Sequence, residues 1–257
     1  MGLGRIVNQV LSRLGLKLIR LPSGRPGSIY DQDGLTSIHN HEFLTDPKFQ
    51  KAYGRGVQAA GSDYGFQWRV YVALWAAVHA EKIPGDFVEC GVNRGFVSSA
   101  IMNFLNWNEL DRDFYLLDTF QGLDERFVSQ QEKARGALEK NADQLASGFY
   151  VSGVESVRKN FSEWPRAQVI EGVIPETLEL VGGEAFSFLH IDLNCSPPEI
   201  AALSYFWPRL SSGAVVLFDD YAYFGYELQK SPIDEIVGQW GHSVLSLPTG
   251  QGLLIKA

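Results

Sequence analysis

Cysteine is scarce in this sequence: among 257 residues there are two, Cys90 and Cys195. That excludes a disulfide framework, and neither has the C-x-x-C spacing of a zinc or redox site. Two free thiols fit a reducing, cytoplasmic setting. Long apolar runs are missing too. None approaches the roughly 18 residues that cross a bilayer. Lysine and arginine interrupt the apolar positions at the start of the chain, which speaks against a signal peptide. Positive charge is in deficit, with a formal net charge of −8, so bulk nucleic-acid binding is not expected. The glycine loop after the first strong strand is not G-x-G-x-x-G, which weakens a dinucleotide reading. What remains, 45% apolar and 20% charged, is ordinary for a globular α/β protein.

Residues 1–20 are the one basic stretch, with Arg5, Arg13, Lys17 and Arg20 before the first acid, Asp31. Leu3, Ile6, Val7, Val10, Leu11, Leu14 and Leu18 recur at helical spacing. The amphipathic helix this predicts either makes weak contact with an anionic membrane surface or docks on its own domain or a second subunit. A homo-oligomer is expected. Residues 21–40 read as a linker, and Gly54–Gly65 as a loop or mobile lid. Residues 1–65 thus form an N-terminal helix, linker and lid region, and 66–257 the main domain.

The organising stretch is G-D-F-V-E-C-G-V-N-R-G, residues 85–95. A short apolar strand ends on Glu89, glycines follow at 91 and 95, and a helix-compatible run occupies 97–105. Glycine lets the backbone turn sharply and approach a ligand, and a helix start offers free N–H groups to an anion. The spacing E-x-G-x-x-x-G suits S-adenosylmethionine better than a dinucleotide, though a plain strand-to-helix turn also needs glycine. Further strands are predicted at 113–117, 168–170, 186–191 and 214–218, with a terminal antiparallel hairpin of 243–247 and 253–255. A helix is expected over 66–79, another from a capping box at Ser152–Glu155, one from Pro175, and one from Pro197 closed by Leu210–Gly213. Residues 124–150 read as an insertion. Alternating βα units followed by a terminal hairpin predict one open, mostly parallel sheet.

Glu89, Asp118, Asp192, Asp219 and Asp220 stand at or beside strand ends, where open α/β sheets bind ligands. Asp118 is placed to meet a ribose, or is a simple turn residue. If the strands ending at Asp192 and Asp219 are neighbours, about 4.8 Å apart, three carboxylates converge. Such a group either holds a hard cation such as Mg²⁺ or caps the following helices.

With these residues laid out, the chain resembles a class I S-adenosylmethionine-dependent methyltransferase, and more narrowly the macrocin O-methyltransferase family of sugar O-methyltransferases. The markers are P-G-D-F-V-E-C-G-V-N-R-G (84–95), L-D-T-F-Q-G-L (117–123), L-H-I-D (189–192) and F-D-D-Y (218–221). The resemblance implies a three-layer, mostly parallel seven-stranded Rossmann-like methyltransferase sheet with a C-terminal antiparallel hairpin. It also implies that Glu89, Gly91 and Gly95 cradle the methionine part of the cofactor and that Asp118 meets its ribose. Cys90, Asn93, Ser98, Thr119, Phe120, Gly122, Gly172, Val173 and Asp192 complete the cofactor set. Asp192, Asp219 and Asp220 would bind Mg²⁺, with Asp192 also the general base, and Tyr64, Asn194 and Tyr221 would face the substrate. Two departures stand out. Asn93 occupies a place where the family often has tryptophan, and L-N-C-S-P follows the L-x-x-D motif where G-D-L-Y-E is common, so Asn194 replaces an acid. The implied reaction is methyl transfer to a hydroxyl of a glycan, nucleotide sugar or glycosylated natural product, with product relevance to polysaccharide biosynthesis. Alternatives are a nicotinamide-dependent sugar oxidoreductase and a non-catalytic scaffold of a glycan-assembly complex.

Overall fold

A computed structural model describes residues 7, 11–14, 16 and 29–257. Most of the basic arm predicted over 1–20 lies outside the described residues; within it Ser12–Leu14 forms a 3-10 turn. Contacts divide the chain into two units, residues 1–41 and 42–257. The first contains a hairpin of β1 (Tyr30–Gln32) and β2 (Leu35–Ser37). Its turn residues Asp33 and Gly34 both have positive φ, the requirement of a type I′ turn. Part of the predicted linker is therefore ordered strand.

The second unit opens with α1 (Pro47–Ala60), started by Asp46, whose carboxylate accepts from Phe49 N at 2.8 Å. This helix takes up much of the stretch expected to be a lid. Gly56 serves packing: a Cβ there would overlap the Phe96 ring, so only glycine lets the two helices approach this closely. Next come α2 (Gln67–Ala80), β3 (Asp86–Cys90), α3 (Phe96–Phe104) and β4 (Phe114–Asp118). The 124–150 insertion carries two helices, α4 (Gln130–Ala134) and α5 (Ala137–Ala146). The first starts with a capping box of Ser129 and Glu132. The capping box expected at Ser152–Glu155 does not form: α6 (Glu155–Phe161) starts from Val154 with no side-chain cap. After β5 (Ala167–Glu171) the predicted helix from Pro175 shrinks to a 3-10 turn at Leu178–Leu180.

β6 (Phe186–Ile191) leads into α7 (Ser196–Phe206). Leu210–Gly213, expected to close that helix, instead begins β7 (Leu210–Phe218). α8 (Glu227–Gln239) was not legible as a helix; Pro232 interrupts its pattern. β8 (Leu245–Ser246) and β9 (Gly252–Ile255) end the chain as the expected antiparallel pair.

The sheet runs β5-β4-β3-β6-β7-β9-β8. The first five strands in that order are parallel; β9 is antiparallel to both β7 and β8. One core layer joins α1, α2 and α3 to Phe87, Phe114, Leu116, Phe188, Val215 and Leu217. The other joins α7 and α8 to Val88, Cys90, Leu117, Leu189, Ile191, Val216 and Phe218. Alternation along each strand assigns the faces. The chain leaves β3 toward β4 and β5, then returns to β6 on the other side of β3. That reversal opens a crevice at the carboxyl ends of β3 and β6, the usual ligand position of such sheets. No described helix is long and apolar enough to cross a membrane.

Candidate active site

A cavity of about 330 Å³ occupies that crevice, within the size range of small-molecule sites. On one side stands the glycine loop. Gly91 has φ +94°, and a Cβ there would lie 1.8 Å from the carbonyl oxygen of Asp192. No other residue fits between the two strand ends. Asp118, at the tip of β4, secures the loop: its Oδ2 accepts from Val92 N and Asn93 N, each at 2.7 Å, and its Oδ1 from Phe120 N at 2.7 Å. Thr119 Oγ1 donates to Gly122 O at 2.6 Å, bending the chain after β4 back on itself. Asp118 thus fixes the shape of the cradle whatever else it meets.

Asp192, Asp219 and Asp220 converge as the strand order allows, with ligand atoms all within 4.8 Å of one another. Asp219 is embedded in partners. Its Oδ2 accepts from Arg69 Nη1 at 2.7 Å and its Oδ1 from Gln251 Nε2 at 2.9 Å. Burial alone would raise its pKa; the cations Arg69 and His190 override that and hold it well below the carboxylate range. Asp220 goes the other way: burial, then the charge of Asp219, push it up to about 7. Burial and the two neighbouring aspartates also raise Asp192, whose Oδ1 accepts from Asn194 Nδ2 at 3.1 Å. Arg69 and His190 face four carboxylates, Asp192, Asp219, Asp220 and Glu89, so negative charge is left over. Crowded oxygen donors, two of them raised by burial and then by their acidic neighbours, suit a divalent cation.

Beneath this group runs a buried chain of charge. His190 Nδ1 lies 2.8 Å from Glu89 Oε1, while its Nε2 lies 3.6 Å from Asp219 Oδ1, longer than a hydrogen bond. Burial works against the imidazolium, but the carboxylates of Asp219 and Glu89 prevail and raise His190 to about 10.

The structure brings Glu89, Gly91, Asn93, Asp118, Thr119, Gly122, Gly172, Val173, Asp192, Asn194, Asp219, Asp220 and Tyr64 to the cavity wall. Other expected residues lie elsewhere. The side chain of Cys90 falls on the opposite face of the sheet in the core, because alternation sends it away from Glu89; only its carbonyl oxygen reaches Asp192 N, at 2.8 Å. Ser98 is fully buried within α3, and the Phe120 ring is buried behind the loop. Gly95 is the left-handed start of α3, packed against Phe161. Tyr221 is buried, with its hydroxyl between Asp234 and Lys230. Its place on the wall is taken by Tyr223 and Tyr226.

Arg69, Lys140, Tyr150, Tyr223 and Tyr226 also line the cavity and were not foreseen. No spacing pattern marks them, for they arrive from α2, the insertion and the loop before α8. Lys140 Nζ donates to Tyr226 Oη at 2.6 Å.

Residues 70–229 match the macrocin O-methyltransferase (TylF) family. The chain belongs to that family. It is thus an O-methyltransferase of the S-adenosylmethionine-dependent kind, and neither the oxidoreductase nor the scaffold reading gains support. Among curated relatives it is 28% identical over 189 residues to 8-demethyl-8-(2,3-dimethoxy-α-L-rhamnosyl)-tetracenomycin-C 4′-O-methyltransferase of Streptomyces olivaceus, covering 66% of this chain and 70% of that one. It is 26% identical to demethyldecarbamoylnovobiocin O-methyltransferase of Streptomyces niveus, covering 56% of this chain and 55% of the relative; the match thus spans about half of that relative's length. Among solved structures, the O-methyltransferase NovP aligns with a TM-score of 0.66 at 20% identity, covering 85% of this chain and all of that one. CalS11, a calicheamicin methyltransferase, aligns with a TM-score of 0.55 at 15% identity, covering 91% of this chain and 99% of that chain. These two likenesses concern the fold.

Proposed function

We propose that this methyltransferase acts on a hydroxyl of a sugar, in a glycosylated natural product or a related glycan precursor, with a divalent cation in the acidic cluster. The observation that carries the reading is the meeting of Asp192, Asp219 and Asp220 within 4.8 Å beside the glycine loop. The names of the curated relatives support a glycosylated acceptor.

In this reading Gly91, Val92 and Asn93 cradle the amino-acid end of S-adenosylmethionine, Asp118 fixes their geometry, and Gly172 and Val173 complete the wall. Asp192, Asp219 and Asp220 would hold Mg²⁺, which when bound lowers the pKa of a coordinated hydroxyl. Arg69 and Gln251 keep Asp219 ionised and aimed. Asp192 receives the proton of the acceptor, since burial and its two acidic neighbours raise its affinity for one. Asn194 steadies that carboxylate from the position where an acid is common, which leaves the base role to Asp192. Tyr64, Tyr223 and Tyr226 give the acceptor aromatic walls, and the crevice holds the hydroxyl in line with the methyl group.

The test is a screen of methyl glycosides, nucleotide sugars and glycosylated aromatic compounds with methyl-labelled cofactor. Label in a sugar hydroxyl supports the reading; label only in non-sugar acceptors contradicts it.

A further inference from the structure

The segment 148–151, at the end of the insertion, is gripped by the glycine loop. Asn93 uses both ends of its amide: Nδ2 donates to Phe149 O at 3.2 Å, and Oδ1 accepts from Val151 N at 2.8 Å. Arg94 Nη2 donates to Gly148 O at 2.8 Å. Asn93 has φ +48°, a left-handed conformation that asparagine tolerates better than most residues. A bulky side chain here could not make this two-point contact.

Tyr150 lies between the two gripped peptide groups and lines the cavity that also exposes Asp118, Asp192, Asp220 and Tyr226. Asp118 belongs to the cofactor half of that cavity and the other two acids to the cluster half. Burial first, then Tyr226 and these three carboxylates, raise its pKa. It therefore keeps its proton at neutral pH and acts as a donor, never as a base.

We propose that Tyr150 is a positioning residue for the acceptor, donating a hydrogen bond to a sugar oxygen beside the one that is methylated, and that the grip of Asn93 sets it there. The proposal rests on the sugar-methylating reading above. It adds that the cofactor cradle and one acceptor contact are a single mechanical unit, because Asn93 belongs to the first and Tyr150 to the second. A sugar fits this wall: it offers oxygens to the phenol of Tyr150 and to Tyr226, the latter fixed by Lys140.

Two measurements on the full chain test it. In the first, 3-fluorotyrosine replaces Tyr150 and its fluorine resonance is followed by NMR. It should shift on addition of S-adenosylhomocysteine and, separately, of Mg²⁺; indifference to both would overturn the placement. In Asn93→Ala the response to S-adenosylhomocysteine should collapse, while an unchanged response would overturn the role of the grip. In the second, Tyr150→Phe keeps the ring and removes the hydroxyl. With a sugar acceptor from the screen, its KM should rise about tenfold, the loss of one hydrogen bond, while S-adenosylhomocysteine affinity stays within about twofold of wild type. A ring that only fills space would leave KM unchanged, and that result overturns the proposal. If wild-type protein methylates no sugar, the functional reading fails by itself, and the fluorine measurement still decides where Tyr150 stands.

Discussion

The Nδ1 of His190 lies 2.8 Å from Oε1 of Glu89, and both side chains are buried. Glu89, next to last in β3, lies on the cofactor side, while Asp219, on the far side of the same imidazole, belongs to the acidic cluster. One cation thus balances two carboxylates across the crevice. Replacing His190 by alanine strands the charge of Glu89 away from water, while Asp219 keeps Arg69 and Gln251. Loss of one partner of a buried ion pair is strongly destabilising. His190→Ala should lower unfolding free energy by roughly 3 kcal/mol, read from urea denaturation. A loss under about 1 kcal/mol, the scale of a surface pair, would contradict the assigned charges.

Asp118→Ala removes the acceptor for the amides of Val92 and Asn93. Two charge-assisted bonds hold the loop in shape, so S-adenosylhomocysteine affinity should fall about tenfold to a hundredfold by calorimetry. Unchanged affinity would mean that the loop keeps its shape without the carboxylate.

Gly91→Ala places a methyl group against the Asp192 carbonyl, 1.8 Å away at the undisturbed geometry, in a backbone conformation with φ +94°. Either the strand ends separate or the loop re-forms. Both disturb the cradle, so cofactor affinity and Tm should fall together. A variant with wild-type values of both would show that the approach of the two strands is not required.

These features were legible to different degrees, for physical reasons. Strand ends on acids can be read locally, because a parallel strand is an unbroken apolar run and the polar residue that ends it marks the rim; Asp118, Asp192, Asp219 and Asp220 are all legible in this way. The glycines were ambiguous. Gly91 serves a loop, but Gly56 serves helix contact, and a sequence gives no sign of which neighbour comes close. His190 sat in view within L-H-I-D, yet its meaning depends on Glu89 lying on the adjacent strand in matching register. Lys140, Tyr150 and Tyr226 reach the cavity from segments with weak periodicity, and only tertiary contacts select them. Cys90 and Tyr221 belong to the motifs that carry the family resemblance, but strand alternation sends the thiol of the first into the core and hydrogen bonds hold the hydroxyl of the second at Asp234 and Lys230.

Asp220 gives a pH dependence. Its carboxyl is raised to about 7, so it carries a proton below that pH. Mg²⁺ must displace the proton. Apparent metal affinity should therefore fall as pH drops through about 7 and level off above it. The contribution of Asp220 to metal-free stability has the opposite sense: a carboxyl raised in the folded state stabilises fully below its unfolded value of about 4 and loses that contribution as pH climbs to about 7. The rise in Tm on adding excess Mg²⁺ should accordingly be larger at pH 8 than at pH 6; equal rises would contradict the assignment.

The most direct measurement is a titration of Mn²⁺, standing in for Mg²⁺, followed by electron paramagnetic resonance, on wild-type protein and on Asp192→Asn and Asp220→Asn, each checked for retained S-adenosylhomocysteine binding. The account predicts one ion bound per wild-type chain and marked weakening in both variants, with the cofactor product still bound. Undiminished ion binding in the variants, or none in the wild type, would contradict it.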